Sequence, residues 1–221
     1  MKRVFVTASG TDVGKTFVMC RLIAEFRAEG RRVRALKPVA TGFDPANPEV
    51  SDTGRLIQAQ HLPLTAEVVD ATTRWRFAAP LSPDAAARRE HRGIPFEELV
   101  AFCAAPADAD TTLIEGVGGV MVPIDAEHTV LDWIEALAAK VLLVAGSYLG
   151  TLTHTLTAIE ALRSRGIAPA AVIVSESPQQ PMPLVETVET MQRFVPRVPV
   201  VCLSRGVAEK ATAARLMRLI E

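Results

Sequence analysis

Short blocks rich in Val, Ile and Leu recur along the chain, at Arg3–Thr7, Arg32–Lys37, Thr111–Glu115, Lys140–Ala145, Ala170–Ser175 and Val198–Leu203. Most are apolar at both alternating positions, which predicts strands covered on both faces and hence a parallel sheet. Between the blocks the apolar positions take helical spacing. That spacing predicts helices over Gly14–Glu29, Asp52–Gln60, Pro95–Ala104, Val130–Ala139, Thr151–Arg165, Leu184–Phe194 and Ala208–Ile220. Gly30, Gly166 and Pro169 fall where helices should stop. Gly42–Ser51 and Pro178–Pro183 read as surface loops. The alternation predicts an α/β fold with a doubly wound, mostly parallel sheet and helices on both faces, formed by residues 1–221 as a single domain. Ligands of such sheets bind beyond the carboxyl ends of the strands, so the residues that follow strands carry the functional signal.

The first such segment runs Thr7-Ala8-Ser9-Gly10-Thr11-Asp12-Val13-Gly14-Lys15-Thr16-Phe17. Gly14, Lys15 and Thr16 match the end of a phosphate loop, whose general pattern is G-x-x-x-x-G-K-[ST]; Ser9 occupies the leading glycine position. Backbone N–H groups from Asp12 to Phe17, at the start of a helix, are suited to phosphate oxygens. Lys15 would offset β/γ-phosphate charge and Thr16 would ligate Mg²⁺. The fold is therefore expected to be of the P-loop NTPase type. Lys37 ends the second strand and aims a further cation at the ligand side, with Thr41 adding a hydroxyl after the Pro38–Gly42 turn. Glu115 closes an apolar strand just before Gly116-Val117-Gly118-Gly119, and Asp52 follows Ser51 at a helix start. Both carboxylates are candidate Mg²⁺ ligands together with Thr16. Asp52 has an equal local reading as a helix cap.

Composition narrows the classes. The 24 basic and 25 acidic side chains leave a net charge of −1, which argues against a nucleic-acid surface or a polybasic membrane patch. Cys20, Cys103 and Cys202 are scattered, with no C-x-x-C pair, as expected of free thiols in a reducing cytoplasm. No stretch approaches the ~18 apolar residues of a spanning helix.

Taken together, the motifs resemble dethiobiotin synthase. The resemblance covers nearly the whole chain and is strongest before residue 155. It rests on Thr7–Thr16, Lys37–Gly42, Ser51-Asp52, Phe77–Pro83, Glu115–Gly119 and Leu149-Gly150-Thr151-Leu152-Thr153-His154. It implies an Mg²⁺-dependent cytoplasmic ligase of biotin biosynthesis that closes the ureido ring of dethiobiotin from 7,8-diaminononanoate, CO₂ and ATP or another nucleoside triphosphate. The route runs through a carbamate and a carbamic–phosphoric anhydride. It also implies a homodimer with substrate near the subunit interface. By the same resemblance Lys15, Lys37, Thr11 and Asp12 serve catalysis. Thr11, Lys37, Thr41, Ser82, Pro83, Gly118, Leu149, Gly150 and Thr151 would contact substrate, the last pair through a helix N-terminus of the partner subunit. Nucleotide would meet Asp12–Phe17, Asp52, Glu115, Gly116, Val117 and Gly118, with Ser175, Glu176, Ser204, Arg205 and Glu209 near the base. Thr153 stands where Asn is common in the family. Many members carry Asn-Asp where this chain has Ser175-Glu176. A hydroxyl cannot present the paired donor and acceptor of an amide, which predicts a relaxed preference for adenine.

The competing reading is a P-loop switch ATPase that binds partner proteins or DNA. Such relatives often carry an extra lysine early in the loop, and Ala8–Val13 contains none. A cobyrinate-type amidating enzyme would need a glutaminase domain that this length does not accommodate. His61, His91 and His128 lack metal-ligand spacing. His154 reads as capping or packing, Trp75, Trp133 and Tyr148 as core or interface, and Arg88–Arg92 as a solvated helix face.

Overall fold

The computed structural model describes residues 2–205 and 210–220. In chain order the elements are β1 (Lys2–Ala8), α1 (Lys15–Ala28), β2 (Val33–Leu36), β3 (Val39–Thr41), a single 3₁₀ turn (Pro48–Val50), α2 (Asp52–Ala59), α3 (Ala66–Thr72), β4 (Trp75–Phe77), α4 (Pro83–Arg89), α5 (Phe96–Ala104), β5 (Thr111–Glu115), α6 (Val130–Leu137), β6 (Lys140–Ala145), α7 (Thr151–Ser164), β7 (Ala171–Ser175), α8 (Leu184–Phe194), β8 (Val200–Leu203) and α9 (Lys210–Ile220). Six strands form one sheet in the order β2-β5-β1-β6-β7-β8, every pair parallel. The six apolar blocks of the sequence are these six strands, with ends displaced by at most two residues.

Side chains alternate across a strand, so consecutive apolar residues serve two cores. On β1, Phe5 enters the core under α5, α6, α7 and α8, where its ring meets the edge of Trp133 at 4.8 Å. Val4 and Val6 enter the opposite core, with Leu22, Ile23 and Phe26 of α1 and Leu216 and Met217 of α9. Trp75 and Trp133 are both buried. Among the described residues, no helix is long and apolar enough to cross a membrane.

Three features were not legible as elements. β3 and β4 pair in parallel as a separate two-stranded sheet, too short to show a period. α3 and α4, of seven residues each, are equally short, and α4 carries Arg88 and Arg89 on an exposed face. The segment read as the loop Gly42–Ser51 contains the 3₁₀ turn, which packs on α2. A Cβ on Gly54 would sit 2.2 Å from the Pro48 carbonyl oxygen, so the close approach needs glycine there.

The order of the strands locates the site. From β1 the chain winds to one side for β2 and β5, then crosses to the other side for β6, β7 and β8. The loop after β1 therefore lies at the point where the winding reverses, where crevices open in such sheets.

Candidate active site

Three backbone bonds seat the loop after β1 on its neighbours: Ser9 N donates to Val144 O at 2.9 Å, Gly116 N to Val6 O at 3.0 Å and Val120 N to Ala8 O at 3.1 Å. Asp12 and Gly14 adopt left-handed backbone, with φ of 57° and 102°. The loop thus turns into α1, whose first residue is Lys15. Lys15 is buried, and its ammonium donates to Gly118 O at 2.9 Å and to Gly10 O at 3.4 Å. Burial and the nearby Lys37 lower its pKa to about 8, against the pull of Glu115, Asp52 and Asp12.

The parallel register sets Val6 of β1 beside Glu115 at the end of β5, and Leu36 of β2 beside Ile114. Lys37 and Glu115 therefore emerge together. Lys37 Nζ donates to Glu115 Oε1 at 2.7 Å and to Gly116 O at 2.9 Å, and lies 3.5 Å from Asp52 Oδ2. Asp52 starts α2, which Ser51 caps by accepting from Gly54 N. Thr16 Oγ1 also donates to Glu115 Oε1, at 2.9 Å. Burial works against the charge of Lys37, but Glu115 and Asp52 outweigh it and hold the ammonium protonated above its ordinary pKa. Burial pushes the Glu115 carboxyl up, the attraction of Lys37 only partly offsetting it. Asp52, half-buried, is held below the usual carboxylate range, chiefly by Lys37 and the Thr16 hydroxyl acting against its own desolvation.

These groups face one cavity of about 570 Å³. The sequence-predicted residues on its wall are Thr11, Asp12, Gly14, Lys15, Thr16, Phe17, Lys37, Thr41, Asp52, Glu115, Val117, Gly118 and Arg205. Phe43, Val50 and Arg55 also line it, and the sequence reading missed them. A signal existed for Arg55, which is one helical turn beyond Asp52 and so shares its face.

Other predicted residues lie off that wall. Val13 is buried. Gly116 is packed on the Phe5 ring, which a Cβ would approach to 2.8 Å. Ser175 is fully buried beneath the phosphate loop, its Oγ 2.5 Å from where a Cβ on Gly14 would be. Glu176 braces Arg205: its carbonyl accepts from Arg205 Nε at 2.7 Å and its carboxylate from Arg205 N at 2.8 Å. Ser204 follows β8 without lining the cavity. Glu209 lies outside the described residues. Ser82 and Pro83 head α4, beyond Pro80, which packs on Gly42. Leu149 is 86% exposed, and Gly150, at φ 95°, starts α7 with no side-chain cap. Thr151 Oγ1 donates back to Gly146 O. Tyr148, expected in the core or an interface, and His154, expected to cap or pack, hydrogen-bond each other at 2.8 Å.

One observation bears on a metal. Glu115 Oε2 is buried with no hydrogen-bond partner among the described residues, although Thr16 and Asp52 converge on the same carboxylate. An unsatisfied buried carboxylate oxygen is costly. Two carboxylates and a hydroxyl suit Mg²⁺, which prefers few protein ligands and completes its shell with phosphate oxygens and water.

A family model described as an AAA domain matches residues 2–203. The ATP-dependent dethiobiotin synthetase BioD of Methylobacterium nodulans is 50% identical over 213 residues, covering 93% of this chain and 94% of that protein. The protein of the same name from Acidiphilium cryptum is 50% identical over 202 residues, covering 90% of this chain and 91% of its own. Among solved structures, the MinD cell division protein of Aquifex aeolicus superposes with a TM-score of 0.57 over 99% of this chain and 97% of its own, at 14% identity. That likeness is one of fold.

Proposed function

The chain belongs to the ATP-dependent dethiobiotin synthetase family, and on that premise we propose that it closes the ureido ring of dethiobiotin from diaminononanoate, CO₂ and a nucleoside triphosphate. The observation that carries this reading is the buried Lys37, held between Glu115 and Asp52 beside Lys15 and Thr16 in one cavity. Nucleotide hydrolysis alone needs the phosphate loop and a metal site. A second buried ammonium answers a different problem, the approach of two anions.

In the proposed sequence one amine of the substrate takes up CO₂ as a carbamate. A carbamate oxygen attacks the γ-phosphate, and the second amine displaces phosphate from the resulting anhydride. Lys15 and Lys37 flank the transferring group and neutralise the charge that develops on it. Thr16, Asp52 and Glu115 would hold Mg²⁺, which supplies further charge neutralisation when bound. Thr11 and the N–H groups at the start of α1 hold the carbamate, Asp12 orients an amine, and Thr41 contacts the diamine chain. Ser82, Pro83 and Gly118 complete the substrate wall. The N-terminus of α7, at Leu149, Gly150 and Thr151, takes the substrate carboxylate of a partner subunit. The exposure of Leu149 and Met121, both in loops beyond strand ends, supports a homodimer that covers them. Arg205, on the cavity wall and tied to Glu176, borders the base together with it. Ser175 presents no amide edge, so nucleotides other than ATP also serve.

Purified protein incubated with diaminononanoate, bicarbonate, Mg²⁺ and each nucleoside triphosphate in turn tests the proposal. It expects diamine-dependent phosphate release and a ureido product detected by mass. Failure of every nucleotide to yield that product sinks it, and slow hydrolysis indifferent to the diamine would point to a switch ATPase. Turnover with ATP alone would remove the argument from Ser175.

A further inference from the structure

The four cations on the cavity wall are unequally committed. Lys15 is bound to two backbone carbonyls. Lys37 is paired with two carboxylates, and Arg205 is bound to Glu176. Arg55, on the exposed side of α2, is the remaining one, and its guanidinium makes no hydrogen bond or ion pair among the described residues. Its backbone, by contrast, is fixed. Arg55 N donates to Ser51 O at 3.0 Å, and its carbonyl accepts from Cys20 Sγ at 3.7 Å, which pins this turn of α2 to α1. Only the side chain is free to move.

The proposed reaction leaves anionic charge uncompensated. A triphosphate and a carbamate would enter a cavity that already contains the carboxylates of Asp52 and Glu115. Against them stand Mg²⁺ and the two lysines, whose summed positive charge is smaller. Excess anionic charge in a recess attracts any cation that can reach it. Arg55 lies beside the outer side of α1, at Cys20, one turn beyond Thr16 and Phe17. In a phosphate loop the backbone N–H groups that lead into the helix cradle the α/β-phosphates while the lysine reaches the β/γ-phosphates, so a cation alongside this helix approaches the α/β side.

We infer that Arg55 is a nucleotide-binding residue that swings onto the α/β-phosphates when nucleotide enters, fastening the part of the phosphate chain that is not transferred. The inference rests on the reading of this cavity as a nucleoside triphosphate site. A planar guanidinium offers paired donors to phosphate oxygens, so an ammonium at the same place replaces its charge but not its fork.

Calorimetric titration with ATP and with ADP, each with Mg²⁺ and without diamine, tests it on wild type, Arg55→Ala and Arg55→Lys. The alanine variant should bind both nucleotides about tenfold more weakly, as expected for one partly solvated charge-assisted contact. The lysine variant should recover part of that loss, and the melting temperatures should agree, since the side chain supports nothing in the fold. Affinities within twofold of wild type overturn the inference, as does a loss confined to ATP, which would move Arg55 to the γ-phosphate. If wild type binds neither nucleotide, both readings fall. If it binds nucleotide but makes no ureido product, only the ring-closure proposal falls.

Discussion

Lys37→Met asks what the buried cation does for the resting protein. The side chain of Lys37 is 5% exposed and that of Glu115 is 0% exposed, so their 2.7 Å contact is shielded from water. Removing one partner of such a pair leaves the other charge buried and typically costs about 3–5 kcal/mol. The 3.5 Å contact with Asp52, whose side chain is 45% exposed, adds little on top of this. Spread over a chain of this size, at about 2–4 °C per kcal/mol, the loss corresponds to roughly 6–20 °C in melting temperature. Urea and thermal unfolding, without nucleotide and with a chelator present, measure it. The decisive comparison is the double variant Lys37→Met with Glu115→Gln. Neutralising Glu115 relieves the stranded charge, so the double variant should be more stable than Lys37→Met alone. Mg²⁺ should restore stability to the single variant more than to wild type, because a cation could then satisfy both carboxylates. A melting temperature lowered by only a degree or two, or a double variant less stable than the single one, would refute the reasoning.

Two further outcomes are expected. Lys15, with a pKa of about 8 in the free protein, pairs with phosphate only when protonated, so triphosphate affinity should be level near pH 7 and fall as pH rises through about 8. Binding above that pH should take up a proton, visible as a buffer-dependent heat, and a profile flat from pH 7 to 9 would contradict the assignment. Gly54→Ala should destabilise by about 1–3 kcal/mol through overpacking, because its Cβ would meet the Pro48 carbonyl at 2.2 Å and Glu49 Cα at 2.7 Å. Triphosphate affinity should fall with stability as Asp52 is displaced; a melting temperature within a degree of wild type would show that the turn yields without cost.

The sequence spoke most clearly where one physical constraint dominates. Strands covered on both faces need apolar runs, and the blocks Thr111–Glu115 and Lys140–Ala145 have the boundaries found in the structure. The phosphate loop was readable because its backbone must turn left-handed at Gly14 and present Lys15 and Thr16 in succession. Glu115 stood out as a carboxylate closing an apolar strand. The short pairing of β3 with β4 left no such trace, since three residues carry no period and its partners lie more than thirty residues apart. Arg55 was hidden for a related reason. Its one signal was the helix face shared with Asp52, and nothing in an exposed arginine says that this face meets a ligand until the opposing wall is placed. Ser175 follows its strand as expected, but it packs under Gly14, a contact between distant segments that spacing alone does not encode.

The polar contacts at the centre of the cavity have one more property, their separation along the chain. Lys37 and Glu115 are 78 residues apart, Thr16 and Glu115 99, and Lys15 and Gly118 103. During synthesis the phosphate loop therefore leaves the ribosome long before its partners, and no nascent chain that stops short of β5 has a formed pocket. Contacts of this span close long loops, and that closure carries an entropic cost. A formed pocket thus requires that β1, β2 and β5 have already come together.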